Sequence, residues 1–244
     1  MKKGIFTIGE NKPLTADVYR MRLLGDAAGL DKPGQFLNIR LAGKFLRRPL
    51  SVCDADDASV TVIYKVVGSG TALMAGLPAG EKLDILTGLG NGYDLADAGG
   101  RPLLIGGGVG IPPLYLLAKK LRQQGREVTA VLGFNTADEL FLTGDMTALG
   151  CRVIVTTVDG SYGKKGFVTD ALPDGHSYFF TCGPEPMLRA VYRATAISGQ
   201  FSFEQRMGCG FGACMGCTCR TVSGLKRICK DGPVLRKEEI LWAD

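Results

Sequence analysis

The sequence predicts an α+β multidomain protein: an antiparallel β-barrel, then an α/β domain with a parallel sheet, then a small cysteine-rich C-terminal segment. Three observations predict it. Short alternating or β-branched runs separated by turn residues fill the first part of the chain. From about Gly100 the pattern changes to strands alternating with helices. Five of the eight cysteines then crowd into the end of the chain, at 209, 214, 217, 219 and 229. The expected boundaries are 1-97, 98-199 and 200-244.

Within the first region, Val18 to Leu23 alternates, and Leu37, Ile39 and Leu41 alternate with Asn38 and Arg40 after the Pro33-Gly34 turn. Val60 to Val67 is rich in β-branched residues. Leu83 to Leu86 follows the turn at Pro78-Ala79-Gly80. Several short strands divided by turn signals suggest a small closed barrel. In the second region Leu103-Leu104-Ile105 reads as a buried strand. Pro113 to Gln124 reads as a helix with Leu114, Leu117, Ala118 and Leu121 on one face and Gly125 as its stop. Strands are expected at 128–134, 152–158 and 178–181, and a second helix from Pro184 to Ile197. Such alternation implies a mainly parallel sheet. The last region is Gly- and Cys-rich with little apolar periodicity, so it needs cross-links other than a core of its own.

Composition narrows the function. The 244 residues are 45% hydrophobic, enough for a sizeable core, and the net charge of +5 is far below that of a nucleic-acid arm. The basic excess lies late, at Arg220, Lys226, Arg227, Lys230, Arg236 and Lys237. It reads either as a solvated face or as a docking surface for an acidic partner. Pro102 to Ala118 carries no charge, but it falls short of the roughly 18–20 apolar residues of a membrane span and is broken by glycines and prolines. No membrane span and no secretory signal are expected, so the cytoplasm is the expected compartment, disulfides are disfavoured there, and the clustered cysteines point to metal.

Cys209, Cys214 and Cys217 are spaced C-x4-C-x2-C, and Cys229 follows after 11 residues. This is the plant-type ferredoxin spacing for a [2Fe-2S] cluster. Gly208, Gly210, Gly212 and Gly216 allow a loop to wrap a cluster and aim its N–H groups at sulfur. Cys219 is a fifth cysteine, read as a non-ligand because the spacing selects Cys214 and Cys217. A structural zinc site with four cysteine ligands is the alternative, although zinc usually takes two C-x2-C knuckles and one is present here.

Two further sites suit nucleotides. Arg47-Arg48-Pro49-Leu50-Ser51, expected at the end of a barrel strand, has an arginine suited to pyrophosphate and a serine suited to a flavin ring. Gly68-Ser69-Gly70-Thr71 precedes a helix expected to start near Thr71, and a helix N-terminus favours phosphate. Ile63-Tyr64-Lys65 lies between them; Tyr64 could cover a ring or ribose and Lys65 reach phosphate, or both are ordinary barrel residues. In the second region, Gly106-Gly107-Gly108-Val109-Gly110-Ile111-Pro112-Pro113 joins a strand to a helix as a pyrophosphate loop does. It departs from G-x-G-x-x-G at Ile111. Thr181-Cys182-Gly183-Pro184-Glu185-Pro186-Met187 makes a second such junction, where Cys182 could lie beside a nicotinamide or be simply a small buried residue. The loop Asn135 to Glu139 has no Arg or Lys to meet a 2′-phosphate, which leans towards NADH over NADPH. The single histidine, His176, lies in a Pro-Asp-Gly turn and is assigned no role.

In this order, Arg48-Pro49-Leu50-Ser51, Gly106 to Pro113 and Cys182-Gly183-Pro184 resemble the ferredoxin–NADP reductase superfamily. Glu204-x-Arg206-Met207-x-Cys209-Gly210-x-Gly212-x-Cys214 and Cys229-x-Asp231-Gly232-Pro233-Val234 resemble the electron-transfer subunits of class 1B dihydroorotate dehydrogenase (the PyrK family). Asp159 to Gly163 and Gly166 to Asp170 add to the likeness, which spans nearly the whole chain. The resemblance implies FAD held by Arg48, Pro49, Leu50, Ser51, Ile63, Tyr64, Lys65, Gly70 and Thr71. The expected NAD(H) positions are Gly107, Gly108, Gly110, Cys182, Gly183 and Pro184. It also implies a [2Fe-2S] cluster on Cys209, Cys214, Cys217 and Cys229. The implied partner is an FMN-containing catalytic subunit that oxidises dihydroorotate in pyrimidine biosynthesis, two copies of each forming a heterotetramer. Electrons would then pass between NADH, FAD, the cluster and that partner, with the acid–base step on dihydroorotate on the partner and no general base here. Two rivals remain at this point: a subunit of another NAD(P)H:ferredoxin or sulfide-linked oxidoreductase, and a zinc-stabilised binding module on an inactive reductase fold.

Overall fold

The computed structural model describes residues 1–30 and 32–242. Its first seven elements are β1 (Lys2–Pro13), β2 (Val18–Leu24), β3 (Phe36–Ile39), β4 (Arg48–Ala55), β5 (Ser59–Lys65), α1 (Ser69–Ala75) and β6 (Lys82–Leu89). The six strands close a barrel in the order β1-β2-β5-β4-β3-β6, every pair antiparallel. Closure leaves no free edge to be covered. Inward side chains fill it: Phe6, Ile8, Met21, Leu23, Leu37, Ile39, Val52, Val60 and Val62 are all buried in one cluster. In β3 the alternation expected from sequence is hidden, because all four residues are buried. Leu37 and Ile39 face the barrel core, whereas Phe36 packs outside it, against the cysteine-rich segment.

The second half contains β7 (Pro102–Gly107), α2 (Ile111–Gln123), β8 (Thr129–Phe134), α3 (Thr143–Ala148), β9 (Arg152–Thr157), β10 (Lys164–Lys165), β11 (Tyr178–Cys182), α4 (Glu185–Ala194), β12 (Gly199–Ser202), β13 (Thr218–Thr221), β14 (Gly224–Arg227) and β15 (Val234–Arg236). Seven strands form one sheet in the order β10-β9-β8-β7-β11-β12-β15, all parallel except β15. The uncharged stretch from Pro102 to Ala118 is β7 and the start of α2. Among the described residues no helix is long and apolar enough to cross a membrane. α2 begins at Ile111, two residues earlier than its sequence pattern suggests, because Pro112 and Pro113 suit a first turn whose N–H groups have no helical partner anyway. Gly125 follows it at φ +76°. α4 ends at Ala194 rather than Ile197, where the Thr195 hydroxyl donates to the Val191 carbonyl and the chain turns into β12.

Barrel and sheet share a core. Val18, Cys53 and Ile63 of the barrel pack with Ile111, Leu114, Leu117 and Leu121 of α2. Lys119 of α2 donates to Asp54 of β4 at 2.8 Å. The connecting segment is fixed from both sides. Tyr93, fully buried, donates to the Thr181 carbonyl of β11. Asn91 donates to the Val234 carbonyl at 2.7 Å and accepts from the Val234 N–H at 3.1 Å, so its side chain mimics a strand partner for β15. Replacing Asn91 by alanine removes both bonds and leaves two backbone groups unpaired. The expected loss is about 1–3 kcal/mol, read as a lower thermal midpoint with the fold otherwise intact.

Candidate functional site

The barrel ladder is incomplete at one place. β4 pairs with β3 from Arg48 onward, but it meets β5 no further along β5 than Val62. On its other side β5 stays paired with β2 as far as Lys65. The strands therefore part where Arg48-Pro49-Leu50-Ser51 and Ile63-Tyr64-Lys65 face each other. Backbone groups on these edges lack ladder partners and are free for a ligand. The tetrad thus opens β4 and does not end a strand as expected; the turn before it occupies residues 41–47, and Pro49 has no N–H to lose from the ladder.

The Arg48 guanidinium lies directly on Gly70. A Cβ at Gly70 would come within 2.2 Å of Nε and 2.3 Å of Nη2, so this contact requires glycine. Arg48 also donates to the Leu46 carbonyl. α1 begins at Ser69, which places Gly70 and Thr71 in its first turn. The Thr71 hydroxyl accepts from the Val67 and Gly68 N–H groups and fixes the loop. An arginine fork beside a helix start and two open strand edges is a donor set that fits a flavin nucleotide. The outer face nearby also carries a buried acceptor, Asn38 Oδ1, with no donor among the described residues. Tyr64 is turned inward. It is buried and donates to Asn11 Oδ1 at 3.0 Å, so residues 63–65 present backbone and the Lys65 side chain outward. Lys65 pairs with Asp17 at 3.1 Å and reaches Glu139, after β8, at 4.0 Å.

The two glycine loops of the sheet meet backbone to backbone. A Cβ on Gly110 would lie 2.3 Å from the Cys182 carbonyl oxygen and 2.5 Å from the Gly183 nitrogen. Gly107 and Gly183 both close on Met187, which would stand 2.6 Å and 2.5 Å from their added Cβ atoms. Gly108, at φ +50°, has open space around it, and Pro184 is the exposed cap of α4. Both loops follow the carboxyl ends of adjacent strands, β7 and β11, where parallel sheets bind ligands. Burial pushes the Cys182 thiol up to about 12. In the loop after β8, Glu139 accepts from the Asn135 N–H and side-chain amide, which leaves Asp138 as the exposed acid. His176 Nδ1 lies 3.1 Å from the Arg101 carbonyl, away from both loops.

The cysteine-rich loop sets its thiols in two pairs. Cys209 and Cys214 approach each other, each backbone N–H 3.5 Å from the other's sulfur. The Cys229 N–H lies 3.3 Å from Cys217 Sγ. Among the described residues no three His, Cys, Asp or Glu side chains converge on a single ion. Two pairs of thiols suit a binuclear cluster, in which each iron takes two protein ligands. Cys209 Sγ also accepts from the N–H groups of Phe211 and Ala213. Burial raises this thiol, but the N–H groups of Cys214, Phe211 and Ala213 and the Cys214 side chain outweigh it and bring it to about 6. Those N–H groups favour the thiolate of Cys209, the metal-binding form, whereas burial raises the thiol of Cys229. Cys219 lies outside both pairs, on β13 opposite Lys226.

Two anchors of this loop were not assigned from sequence. Asn38, in β3, donates to the Cys209 carbonyl at 3.1 Å. Arg227, read there only as part of a basic face, donates to the Gly212 carbonyl at 3.0 Å and to Asp231 at 3.1 Å. Its guanidinium holds the Asp231 carboxyl below the usual carboxylate range. Asn38 carries no sequence signal, since its contact depends on which strand the loop lands against, whereas Arg227 and Asp231 stand four residues apart within the segment.

Together these features define a class: a flavin- and nicotinamide-dependent oxidoreductase fold with a ferredoxin-like cluster loop. Comparison with known proteins narrows it. Residues 204–241 match the iron–sulfur cluster binding domain of dihydroorotate dehydrogenase B, and residues 104–193 match the oxidoreductase NAD-binding domain. The chain is 41% identical over 256 residues to the dihydroorotate dehydrogenase B (NAD(+)) electron transfer subunit of Geobacillus sp. (strain WCH70), covering 99% of each. It belongs to the family of dihydroorotate dehydrogenase B electron transfer subunits. It is also similar to a solved NADH-dependent reduced ferredoxin-NADP oxidoreductase, with 31% identity, a TM-score of 0.89, and coverage of 98% of this chain and 90% of that one. Flavohemoglobin from Malassezia yamatoensis, solved with FAD and heme, shares the fold at 20% identity and a TM-score of 0.65, over 80% of this chain and 56% of that one. FAD, a [2Fe-2S] cluster and NAD(H) are the cofactors of this fold and family.

Two expectations follow. Gly70→Ala forces Arg48 off the start of α1, so FAD retention should weaken at least about tenfold, equivalent to about 1.4 kcal/mol, measured by flavin fluorescence on dilution. A thiol raised to about 12 stays protonated throughout neutral pH and ionises only above it. Cys182→Ser should therefore leave the shape of the pH profile of flavin reduction by NADH unchanged between pH 6 and 9, as followed by stopped-flow absorbance.

Proposed function

We infer that this chain is the electron transfer subunit of an NAD-dependent dihydroorotate dehydrogenase and serves pyrimidine biosynthesis. The observation that carries the reading is the arrangement of three sites on one chain. A split barrel edge, paired glycine loops at the carboxyl edge of the sheet, and two thiol pairs on a loop tied to the barrel stand in one sequence of neighbours.

Arg48, Pro49, Leu50 and Ser51 would hold FAD with the open edge at Ile63, Tyr64 and Lys65 and the turn at Gly70 and Thr71. The Arg48 fork would meet pyrophosphate there, while the tetrad backbone would orient the ring. Gly107, Gly108 and Gly110 would admit the pyrophosphate of NAD(H), and Cys182, Gly183 and Pro184 would border its nicotinamide. Cys209 with Cys214 would hold one iron and Cys217 with Cys229 the other, with the loop N–H groups stabilising sulfur charge. On this reading residues 1-97, 98-199 and 200-244 are the flavin, nicotinamide and cluster units. When bound, the flavin supplies the exchange between two-electron hydride chemistry and the one-electron chemistry of the cluster. The neutral Cys182 thiol supplies no base, in keeping with a chain that positions cofactors and leaves proton abstraction to its partner.

The family name implies a partner catalytic subunit. We take it to be an FMN-containing subunit that oxidises dihydroorotate, in an assembly of two copies of each chain. Eight free thiols, none in a disulfide, suit the reducing cytoplasm as the compartment. The likeness to the ferredoxin-NADP oxidoreductase favours a second reading, in which the same relay serves a ferredoxin-linked partner. The higher identity to the dihydroorotate dehydrogenase subunits favours the first.

The test is an anaerobic visible spectrum of the purified chain before and after NADH, followed by addition of the FMN-containing subunit and orotate. We expect flavin and iron–sulfur bands, both bleached by NADH and both restored by orotate only with that subunit present. Restoration by oxidised ferredoxin instead would move the assignment to the second reading. A colourless protein, supplied with FAD and kept from air, would refute the relay itself.

A further inference from the structure

Asn38 is a polar residue at a place where the barrel has no need of one. It lies in the middle of β3, is 1% exposed, and pairs directly with Pro49 of the flavin tetrad. Residues directly opposite on antiparallel strands share a face. Asn38 therefore stands on the outer barrel face with Pro49 and, two residues along, Ser51, while Leu37 and Ile39 point into the core. From that face its amide donates at 3.1 Å to the carbonyl of Cys209, 171 residues further along the chain.

The loop is shaped to receive it. Gly210, at φ +79°, lies so close that a Cβ there would be 2.3 Å from Asn38 Nδ2. Phe36, on the same face, packs with Cys217, Ile228 and Cys229. The Asn38 side chain thus stands between the Cys209 backbone and the strand that carries Arg48 to Ser51.

We propose that Asn38 is a positioning residue that fixes the cluster loop against the flavin-bearing face of the barrel and so sets electron transfer between the two centres. This rests on the relay reading above. Its amide makes a directional tie that an apolar residue of equal size cannot make. Without it, among the described residues, the Cys209 peptide keeps the contacts of its own loop. Electron transfer between two held centres falls with their separation, so loss of one tie at this point should be visible in kinetics.

The experiment mixes the intact FAD- and iron-loaded chain rapidly with NADH, without air, comparing wild type with Asn38→Leu. Flavin and cluster reduction are followed as separate absorbance phases, and hydrogen exchange is measured across residues 208–216. The cluster phase should slow relative to the flavin phase, and exchange in the loop should rise. If the leucine variant loses iron, Asn38→Ala, which removes the donor and adds no charge, is read in the same way. Wild-type rates in both phases with unchanged loop exchange would overturn the assignment of Asn38 while leaving the relay standing. Absence of cluster bleaching in the wild type would instead bring down the relay, and this proposal with it.

Discussion

A cluster loop made of glycines and thiols cannot fold on its own side chains, so everything around it must hold it in place. The protein does this from three directions. Cys217, Ile228 and Cys229 are buried with Phe36, Leu86 and Leu89 of the barrel. β15 enters the nucleotide-binding sheet next to β12 and ties the end of the chain to it. Arg227 bridges the Gly212 carbonyl to Asp231. These ties fix where the thiols lie, and metal binding adds its own free energy to the same geometry.

The same constraint explains the late basic residues. Lys226 pairs with Glu239 and Arg227 with Asp231. Arg236 reaches Asp94 at 3.2 Å and Asp97 at 3.0 Å, and Lys237 lies over the Tyr192 ring while donating to the Thr195 carbonyl. Most of the excess is thus engaged within the chain, and charge reversal at Lys226 or Arg227 would disturb the cluster loop as well as any docking surface. Pairs at the surface, such as Arg236 with Asp94 and Asp97, contribute little each, about 0–1 kcal/mol. Their value here is in geometry, since Arg236 joins the cysteine-rich segment to the connector at residues 91–97 and Lys237 joins it to the end of α4.

Much of the architecture was legible in the sequence because it rests on local rules. Alternation and turn residues disclosed the barrel, and the Leu114, Leu117, Ala118 and Leu121 stripe disclosed α2, all four being fully buried. The C-x4-C-x2-C spacing disclosed the cluster because loop geometry around a metal core is itself local. Other features were hidden. The burial of all of β3 could not be seen from its pattern, since its outer face is covered by residues near 217–229. Tyr64 looked suited to a ligand, yet its hydroxyl is taken by Asn11 across the barrel. The end of α4 depended on where β12 had to begin.

The sequence by itself determined which chemistry is present: the thiols and their spacing, the glycines at strand-to-helix junctions, and the arginine–serine tetrad. These follow from residue type and separation along the chain. Only the tertiary structure decided how they act on one another. Register set the place where β4 and β5 part, the contact of Gly110 with Cys182, the seat of Arg48 on Gly70, and the reach of Asn38 to Cys209. Each of these joins segments tens to more than a hundred residues apart. Their meeting is fixed by closure of the barrel and by the order of strands in the sheet, neither of which any local stretch encodes.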